Sequence, residues 1–248
     1  MSTIKPKHIF IFAFAYYFAV WILIIAVDVY NIFGIQNILI ASNIEYPLLW
    51  IHMFDEASPT EMLVWLLLGL SIIVFSYNAG NYLYKNKHLS SFCIFMAIGL
   101  MLMLLEDAGN PSHKFNHWMH TLSIGPNWFN YRIIIFMFIG FFPLFAFVRY
   151  YKELLKVNKT RKYLLIGFFA YGIATLFSMA DAFWGWYGSV GVFIHKQVLN
   201  ELLILNDLDL WKLGWWFMDN VVEETLELIG AVALLASAIS IWEERVVK

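Results

Sequence analysis

The chain has 248 residues, of which 61% are hydrophobic and only 14% are charged. Soluble domains carry about 25% charged residues, so this composition excludes an ordinary water-soluble domain and indicates a membrane protein. The only cysteine, Cys93, lies in an apolar stretch. An intramolecular disulfide and a thiolate metal site are therefore excluded.

Six stretches are apolar and long enough to cross ~30 Å of hydrocarbon, which takes about 20 residues. Each is predicted to be an α-helix, because backbone polar groups in lipid must be paired within their own segment. The fold class is therefore all-α, a polytopic transmembrane helix bundle forming a single domain over 1–248, with short interfacial helices in the outer loops, as at Val198–Leu205. The predicted spans are Ile9–Val27, Met62–Tyr84, Leu89–Leu105, Ile133–Val148, Tyr163–Trp186 and Trp215–Trp242.

Lysine and arginine residues predict the orientation of these spans, because cytoplasmic loops carry an excess of them. With six spans, both termini, the turn at 85–88 and the loop at 149–162 share one side of the membrane. That side holds all but four of the 16 basic residues, the four being Lys114, Arg132, Lys196 and Lys212. Both termini are therefore predicted in the cytoplasm of a bacterial-type inner or plasma membrane. Membrane lipid surrounds such a chain, and no nucleic-acid partner is expected.

Acidic residues are concentrated on the opposite, outer side, and the positive-inside rule does not require this. In the last span Asp219, Glu223 and Glu227 are spaced i, i+4, i+8, which stacks them on one face of an α-helix beside Glu224. Inserting an ionised carboxylate at the centre of a membrane helix costs roughly 2.5–3.5 kcal/mol on insertion scales. These carboxylates are therefore expected to be protonated, paired with cations or bound to a metal. The alternative is a helix that begins later and leaves Asp219 to Glu224 as a solvated first turn.

Two other spans end in acids on the outer side. The third ends in Glu106 and Asp107, and the fifth ends in Asp181. A carboxylate at a helix C-terminus opposes the helix dipole, so a functional or paired role is predicted for these residues. A salt bridge to Arg132 is the alternative for the first pair, whereas Asp181 has no base among its neighbours in sequence.

A histidine-rich segment follows the third span. It is either an irregular loop or a short helix with Asn110 as N-cap and Pro111 at its first position. The spacing H-x3-H-x2-H would then place three imidazoles on one face, where a carboxylate from Glu106 or Asp107 could complete a site for a divalent ion such as zinc. A hydrogen-bonded structural role is the alternative. The three histidines are His113, His117 and His120.

Two further local patterns have structural explanations. Ser58 and Glu61 form a capping box at the start of the second span, with Ser58 as N-cap and the glutamate three residues later. Gly185, Gly188 and Gly191 are expected to ease a turn after the fifth span.

Three acidic phrases resemble those of uncharacterised bacterial multispanning membrane proteins. In that group one span opens with acids, another ends in paired acids, and a late span reads Glu-Glu-x-x-Glu-x-x-Gly. The resemblance implies a membrane fold and a shared acidic site, and it brings no activity. The matching phrases here are Asp55–Glu61, Glu106-Asp107 and Glu223–Gly230.

Three functions remain open from the sequence. The first is a metal-dependent enzyme acting on a lipid or other lipophilic substrate, with Glu223 or Glu227 as general base on a metal-bound water. The second is a proton- or cation-coupled transporter, although no matching acid lies in the cytoplasmic half of the spans. The third is a non-catalytic membrane subunit or assembly factor that docks a membrane-protein partner.

Overall fold

A computed structural model describes residues 5–42, 48–126, 129–154, 158–198 and 210–246. The chain is 89% helical and has no strand within these ranges, so the predicted all-α class is confirmed. The α-helices of the described chain are α1 (Pro6–Ile24), α2 (Ile35–Ala41), α3 (Leu49–Phe54), α4 (Pro59–Tyr82), α5 (Lys87–Gly109), α6 (Pro111–Thr121), α7 (Arg132–Leu154), α8 (Asn158–Trp184), α9 (Trp186–Val198), α10 (Leu210–Trp216) and α11 (Glu224–Val246).

Six helical stretches of the described chain are long and apolar enough to cross a membrane, and they coincide with the six predicted spans. The multi-pass fold is therefore confirmed, while its orientation stays a prediction. The helices run beyond the apolar windows at several ends because backbone hydrogen bonding continues into polar sequence, as in α7, which extends past Val148. The stretches are Pro6–Val29, Leu49–Tyr82, Lys87–Gly109, Arg132–Leu154, Lys159–Asp181 and Leu210–Glu243.

Two helices begin at positions that the sequence indicates. Ser58 Oγ accepts a hydrogen bond of 3.2 Å from the Glu61 backbone N–H at the start of α4, and the Glu61 carboxylate accepts one from the N–H of Ala57. Helix α6 begins at Pro111, directly after Asn110, whose φ is 49°. The start of α4 at the Ser58 cap is confirmed, whereas α6 begins after Asn110 without a cap hydrogen bond from the Asn110 side chain.

Two π-helical segments interrupt the α-helices. The first π segment, Ile25–Val29, continues α1, and the second π segment, Phe217–Glu223, joins α10 to α11. Both carry acidic residues, Asp28 in the first and Asp219 and Glu223 in the second. Short π-helical segments are frequent at functional sites, so the acids on these two segments are candidates for a functional site.

The chain divides into two compact units, which we describe separately. The first unit comprises Met1–Ile9, Val64–Tyr171 and Ile229–Lys248, and the second comprises Phe10–Leu63 and Gly172–Leu228. The boundaries fall within α1, α4, α8 and α11, so each unit contains parts of several spans. The assignment of the whole chain to a single transmembrane domain stays a prediction.

Helix α11 provides the core of the first unit. Every residue from Gly230 to Ile241 is buried. Small residues allow α8 to approach closely, since a Cβ at Gly167 would lie 2.8 Å from Cγ of Leu234 and one at Gly230 would meet the ring of Tyr171. Close backbone approach through small residues is the usual basis of helix packing in membranes.

The second unit has an apolar core formed by α1, α3, α10 and the second π segment. Trp50 and Phe217 pack edge to face there, with their ring centroids 6.2 Å apart. The buried members of this core are Val20, Ile24, Leu48, Trp50, Ile51, Phe54, Leu213 and Val221.

Glycines bring α9 and α10 into backbone contact in the second unit. A Cβ at Gly191 would overlap the backbone carbonyl of Gly214, and one at Gly188 would overlap the indole of Trp211. The expectation that Gly188 and Gly191 ease a turn is wrong, because both lie inside α9. Only Gly185, with a φ of 58°, forms the turn between α8 and α9.

Of the interfacial helix expected at Val198–Leu205, all but the first residue lies outside the described residues.

Candidate functional site

Asp181, near the end of α8, accepts hydrogen bonds with both carboxylate oxygens. Its Oδ1 accepts one of 2.7 Å from the backbone N–H of Tyr187, and its Oδ2 accepts one of 2.8 Å from the indole Nε1 of Trp215. The turn at Gly185 has brought the start of α9 back onto the carboxylate. The charge that opposes the dipole of α8 therefore lies at the positive end of α9, where a carboxylate is stabilising.

Tyr187 connects this carboxylate to a second one. Its side chain is only 1% exposed, and its hydroxyl donates a hydrogen bond of 2.9 Å to Oε2 of Glu223. Burial raises the pKa of Tyr187 well above its ordinary value of 10.0, and the charges of Glu223, Asp219 and Asp181 raise it further. The phenol therefore stays protonated, and three carboxylates lie near enough to act on it.

Asp219 and Glu223 are held in the π-helical turns of the second π segment. Helical structure begins at Leu210, so these acids do not form a solvated first turn at a helix end. A π-helix bonds i to i+5 rather than i to i+4, so the α-helical spacing used to stack Asp219, Glu223 and Glu227 on one face does not apply across this segment. Glu223 instead reaches Tyr187.

The first turn of α11 continues the acidic sequence. Glu224 and Glu227 are half-buried there. Between them Thr225 donates a hydrogen bond of 2.5 Å to the carbonyl of Val221, a backbone group of the π-helical turn. The Thr225 hydroxyl also bonds to the hydroxyl of Tyr17 on α1. These contacts tie the end of the second π segment to α1 within the second unit.

Glu106, in the first unit, caps the histidine-bearing helix. Its Oε2 accepts a hydrogen bond of 3.2 Å from the backbone N–H of Ser112, in the first turn of α6. The chain turns at Asn110, whose N–H bonds to the Glu106 carbonyl at 2.8 Å. As at Asp181, an acid that is unfavourable for the helix it ends is favourable for the helix that follows.

These two turns share one spacing. An acid is followed four positions later by a residue with positive φ and six positions later by the backbone N–H that its carboxylate accepts. In both, the N–H of the positive-φ residue also donates to the acid's own carbonyl, at 2.8 and 2.7 Å. The corresponding residues are Glu106, Asn110 and Ser112 in one turn and Asp181, Gly185 and Tyr187 in the other.

Asp28 is a third acid that caps a short helix. It is 5% exposed, and its carboxylate accepts backbone N–H bonds of 2.9 Å from Leu49 and 3.0 Å from Trp50, at the start of α3. Three acids at or near the ends of spans therefore have the same kind of partner. Capping of short helices is thus one physical cause of the acidic bias on one side of the predicted topology.

Asp107 and Arg132 lie at the α5–α7 end of the first unit. Asp107 is half-buried in the last turn of α5. The guanidinium of Arg132 lies over the ring of Phe136, 5.3 Å from its centroid, a cation–π geometry. The salt bridge between Arg132 and the paired acids stays a prediction.

The three histidines lie on one helix, α6, rather than in an irregular loop. His113 and His117 are exposed, whereas His120 is half-buried with its ring edge-on to Tyr131 at 5.4 Å between centroids. Among the described residues, no group of three or more His, Cys, Asp or Glu side chains is arranged to hold a metal ion. The divalent metal site therefore stays a prediction.

No protein-family model, curated protein or solved structure matches this chain.

Proposed function

We propose that the protein is a proton- or cation-coupled membrane transporter whose binding site is an acidic network in the second unit. The observation that carries the proposal is the 2.9 Å hydrogen bond from the buried hydroxyl of Tyr187 to Glu223. We define the acidic network as Asp181, Tyr187, Trp215, Asp219 and Glu223.

Electrostatics favours the entry of a cation into this network. Like-charged carboxylates near one another disfavour their common ionisation, and the penalty grows as water is excluded. A proton or metal cation relieves that repulsion, so the network binds positive charge more readily than an isolated surface carboxylate does. Asp219 and Glu223 both lie on the second π segment, and Tyr187 joins Asp181 to Glu223 by two hydrogen bonds.

The pairing of Tyr187 with Glu223 allows the site to exist in two states. When Glu223 is ionised, the phenol donates to it, and when Glu223 is protonated, the phenol oxygen can accept from it, because a hydroxyl has both functions. In both states one hydrogen bond joins the phenol to the carboxyl group. A site that cycles between loaded and empty forms needs this property, since unpaired buried polar groups are costly.

The test is ion flux into proteoliposomes under imposed proton and cation gradients. The wild-type chain should carry gradient-driven flux, and Glu223→Gln, which keeps the size and hydrogen bonding of the side chain but not its charge, should abolish it. The matched control is Glu56→Gln, an exposed acid outside the acidic network, which should transport as wild type does. Flux that survives Glu223→Gln, or wild-type protein that moves no ion under any gradient, contradicts the proposal.

A metal-dependent enzyme is the second candidate, and the helical state of α6 favours it. The spacing of His113 and His117 places two exposed imidazoles one turn apart, a geometry suited to a divalent ion such as zinc. Protein purified without chelators should then contain stoichiometric metal, and the double change His113→Ala and His117→Ala should remove it. Metal-free wild-type protein after such a purification contradicts this candidate.

A further inference from the structure

The first unit contains buried polar side chains on α4 and α11. Three of them are serines whose hydroxyls each bond to a carbonyl three or four residues earlier in their own helix, at 2.7 to 2.8 Å. Such bonds satisfy the hydroxyl hydrogen locally and leave the oxygen lone pairs available as acceptors. The serines are Ser71 on α4 and Ser237 and Ser240 on α11, and all are at most 1% exposed.

Asn78 differs from these serines because only half of its amide is paired. Its Nδ2 donates a hydrogen bond of 2.8 Å to the carbonyl of Ala238 on α11, which fixes the orientation of the amide. Its Oδ1 is buried and has no hydrogen-bond partner in the part of the chain that the structure describes, although the side chain is 0% exposed. In native proteins a buried polar atom of this kind usually binds an ordered water.

The position of Asn78 in α4 bears on the proposed transport. Asn78 lies two helical turns after Ser71, on the same face of α4, and its acceptor Ala238 follows Ser237. In the predicted orientation Asn78 is near the cytoplasmic end of α4, in the half of the membrane where the spans lack acids. Ionisable side chains within membrane spans typically mark ion and proton pathways, and a buried amide oxygen can serve such a pathway through a bound water.

We propose that Asn78 Oδ1 binds a water molecule and provides a polar step for the proton or cation in the half of the membrane that lacks acids. The transport role rests on the proposed function, whereas the presence of water at Asn78 does not. The hydroxyl oxygens of Ser71 and Ser237 offer further acceptors on the same two helices.

Silver ion tests for water at this position without requiring transport. In a Cys93→Ala background, which removes the only native thiol, Asn78→Cys is compared with Leu68→Cys, a fully buried apolar position on the same helix. Silver should block the thiol at position 78 from later maleimide labelling at least about tenfold faster than at position 68, because thiol reaction proceeds through a solvated thiolate. Equal and slow rates at both positions overturn the proposal.

The transport role has its own matched pair of variants. Tyr82→Phe removes a similar interhelical bond, the one from the Tyr82 hydroxyl to the carbonyl of Ile241 at 3.3 Å, but removes no unpaired acceptor. Asn78→Leu should lower flux by at least about tenfold, a barrier increase of about 1.4 kcal/mol, while Tyr82→Phe should keep most of it. Equal losses would show that Asn78 only ties α4 to α11. If wild-type protein carries no flux, the proposed function fails, and the silver experiment still decides whether water reaches Asn78.

Discussion

Tyr187 brings together two acids that are far apart in sequence. Its backbone N–H binds Asp181 and its hydroxyl binds Glu223, so one residue connects the end of α8 with the second π segment. Hydrogen bonds to charged acceptors contribute about 1.5–3 kcal/mol to stability, roughly twice a neutral bond. The phenol is therefore important both for holding this part of the second unit together and for the charge state of Glu223.

At the residue scale, the raised pKa of Tyr187 predicts how stability depends on pH. A group whose folded pKa lies above its unfolded value contributes stability that is complete below the unfolded value and is lost as pH rises through the folded value. Below pH 10, the ordinary tyrosine pKa, wild-type protein should exceed Tyr187→Phe in free energy of unfolding by about 1–3 kcal/mol. Above pH 10 the difference should shrink.

Unfolding curves of both proteins in the same detergent, followed by circular dichroism from pH 7 to 11, measure this difference. The other tyrosines are common to both proteins and cancel in the comparison. A difference that stays constant to pH 11 would show that Tyr187 ionises no later than an ordinary tyrosine.

At the element scale, short helices are positioned by acids of the preceding span. Glu106→Ala should remove the carboxylate that accepts the hydrogen bond from the Ser112 N–H, so the start of α6 should fray. Loss of such a cap lowers stability by about 0.5–2 kcal/mol. Hydrogen–deuterium exchange should rise over α6, whereas Lys114→Ala, at an exposed position of the same helix, should leave exchange nearly unchanged. Unaltered exchange in Glu106→Ala would mean that the bond to Ser112 does not stabilise the helix.

Backbone contact between α9 and α10 predicts a large effect of one methyl group. Gly191→Ala would push a Cβ into the carbonyl of Gly214. Because a backbone group cannot move aside as a side chain can, we expect the free energy of unfolding to fall by about 1–3 kcal/mol. Gly172→Ala is the matched control, because a Cβ at that α8 position meets nothing within 4 Å and alanine favours a helix. Thermal unfolding of the two variants in detergent checks this, and equal melting temperatures would contradict the close contact.

The features of these elements that the sequence predicts are the local ones. The six spans follow from apolar runs, and the starts of α4 and α6 follow from Ser58 and Pro111. The partner of Glu223 could not be predicted, because Tyr187 lies 36 positions away in an aromatic segment without a charge pattern. The role of Gly191 could not be predicted either, because it depends on contact with Gly214 of α10.

At the scale of the whole molecule, the apolar spans determine the fold, whereas the proposed function and the predicted orientation rest on the charged residues. Capping accounts for Asp28, Glu106 and Asp181, so the acidic bias is partly structural. Glu223 differs because its carboxylate accepts a hydrogen bond from the phenol of Tyr187, which is not the start of a helix. The proposed transport function therefore depends on Glu223 more than on the number of acids.

Orientation in the membrane is the prediction that the basic residues make for the whole chain. With Cys93 replaced by alanine, single cysteines are placed at two exposed positions of the first unit: Thr121→Cys, which precedes α7, and Lys152→Cys, in the last turn of α7. In intact cells an impermeant maleimide should label position 121 and not position 152, and permeabilisation should expose both, because the 149–162 loop carries the excess of lysine and arginine that marks the cytoplasmic side. Labelling of position 152 alone would reverse the orientation of the whole chain, and labelling of both from outside would mean that α7 does not cross the membrane.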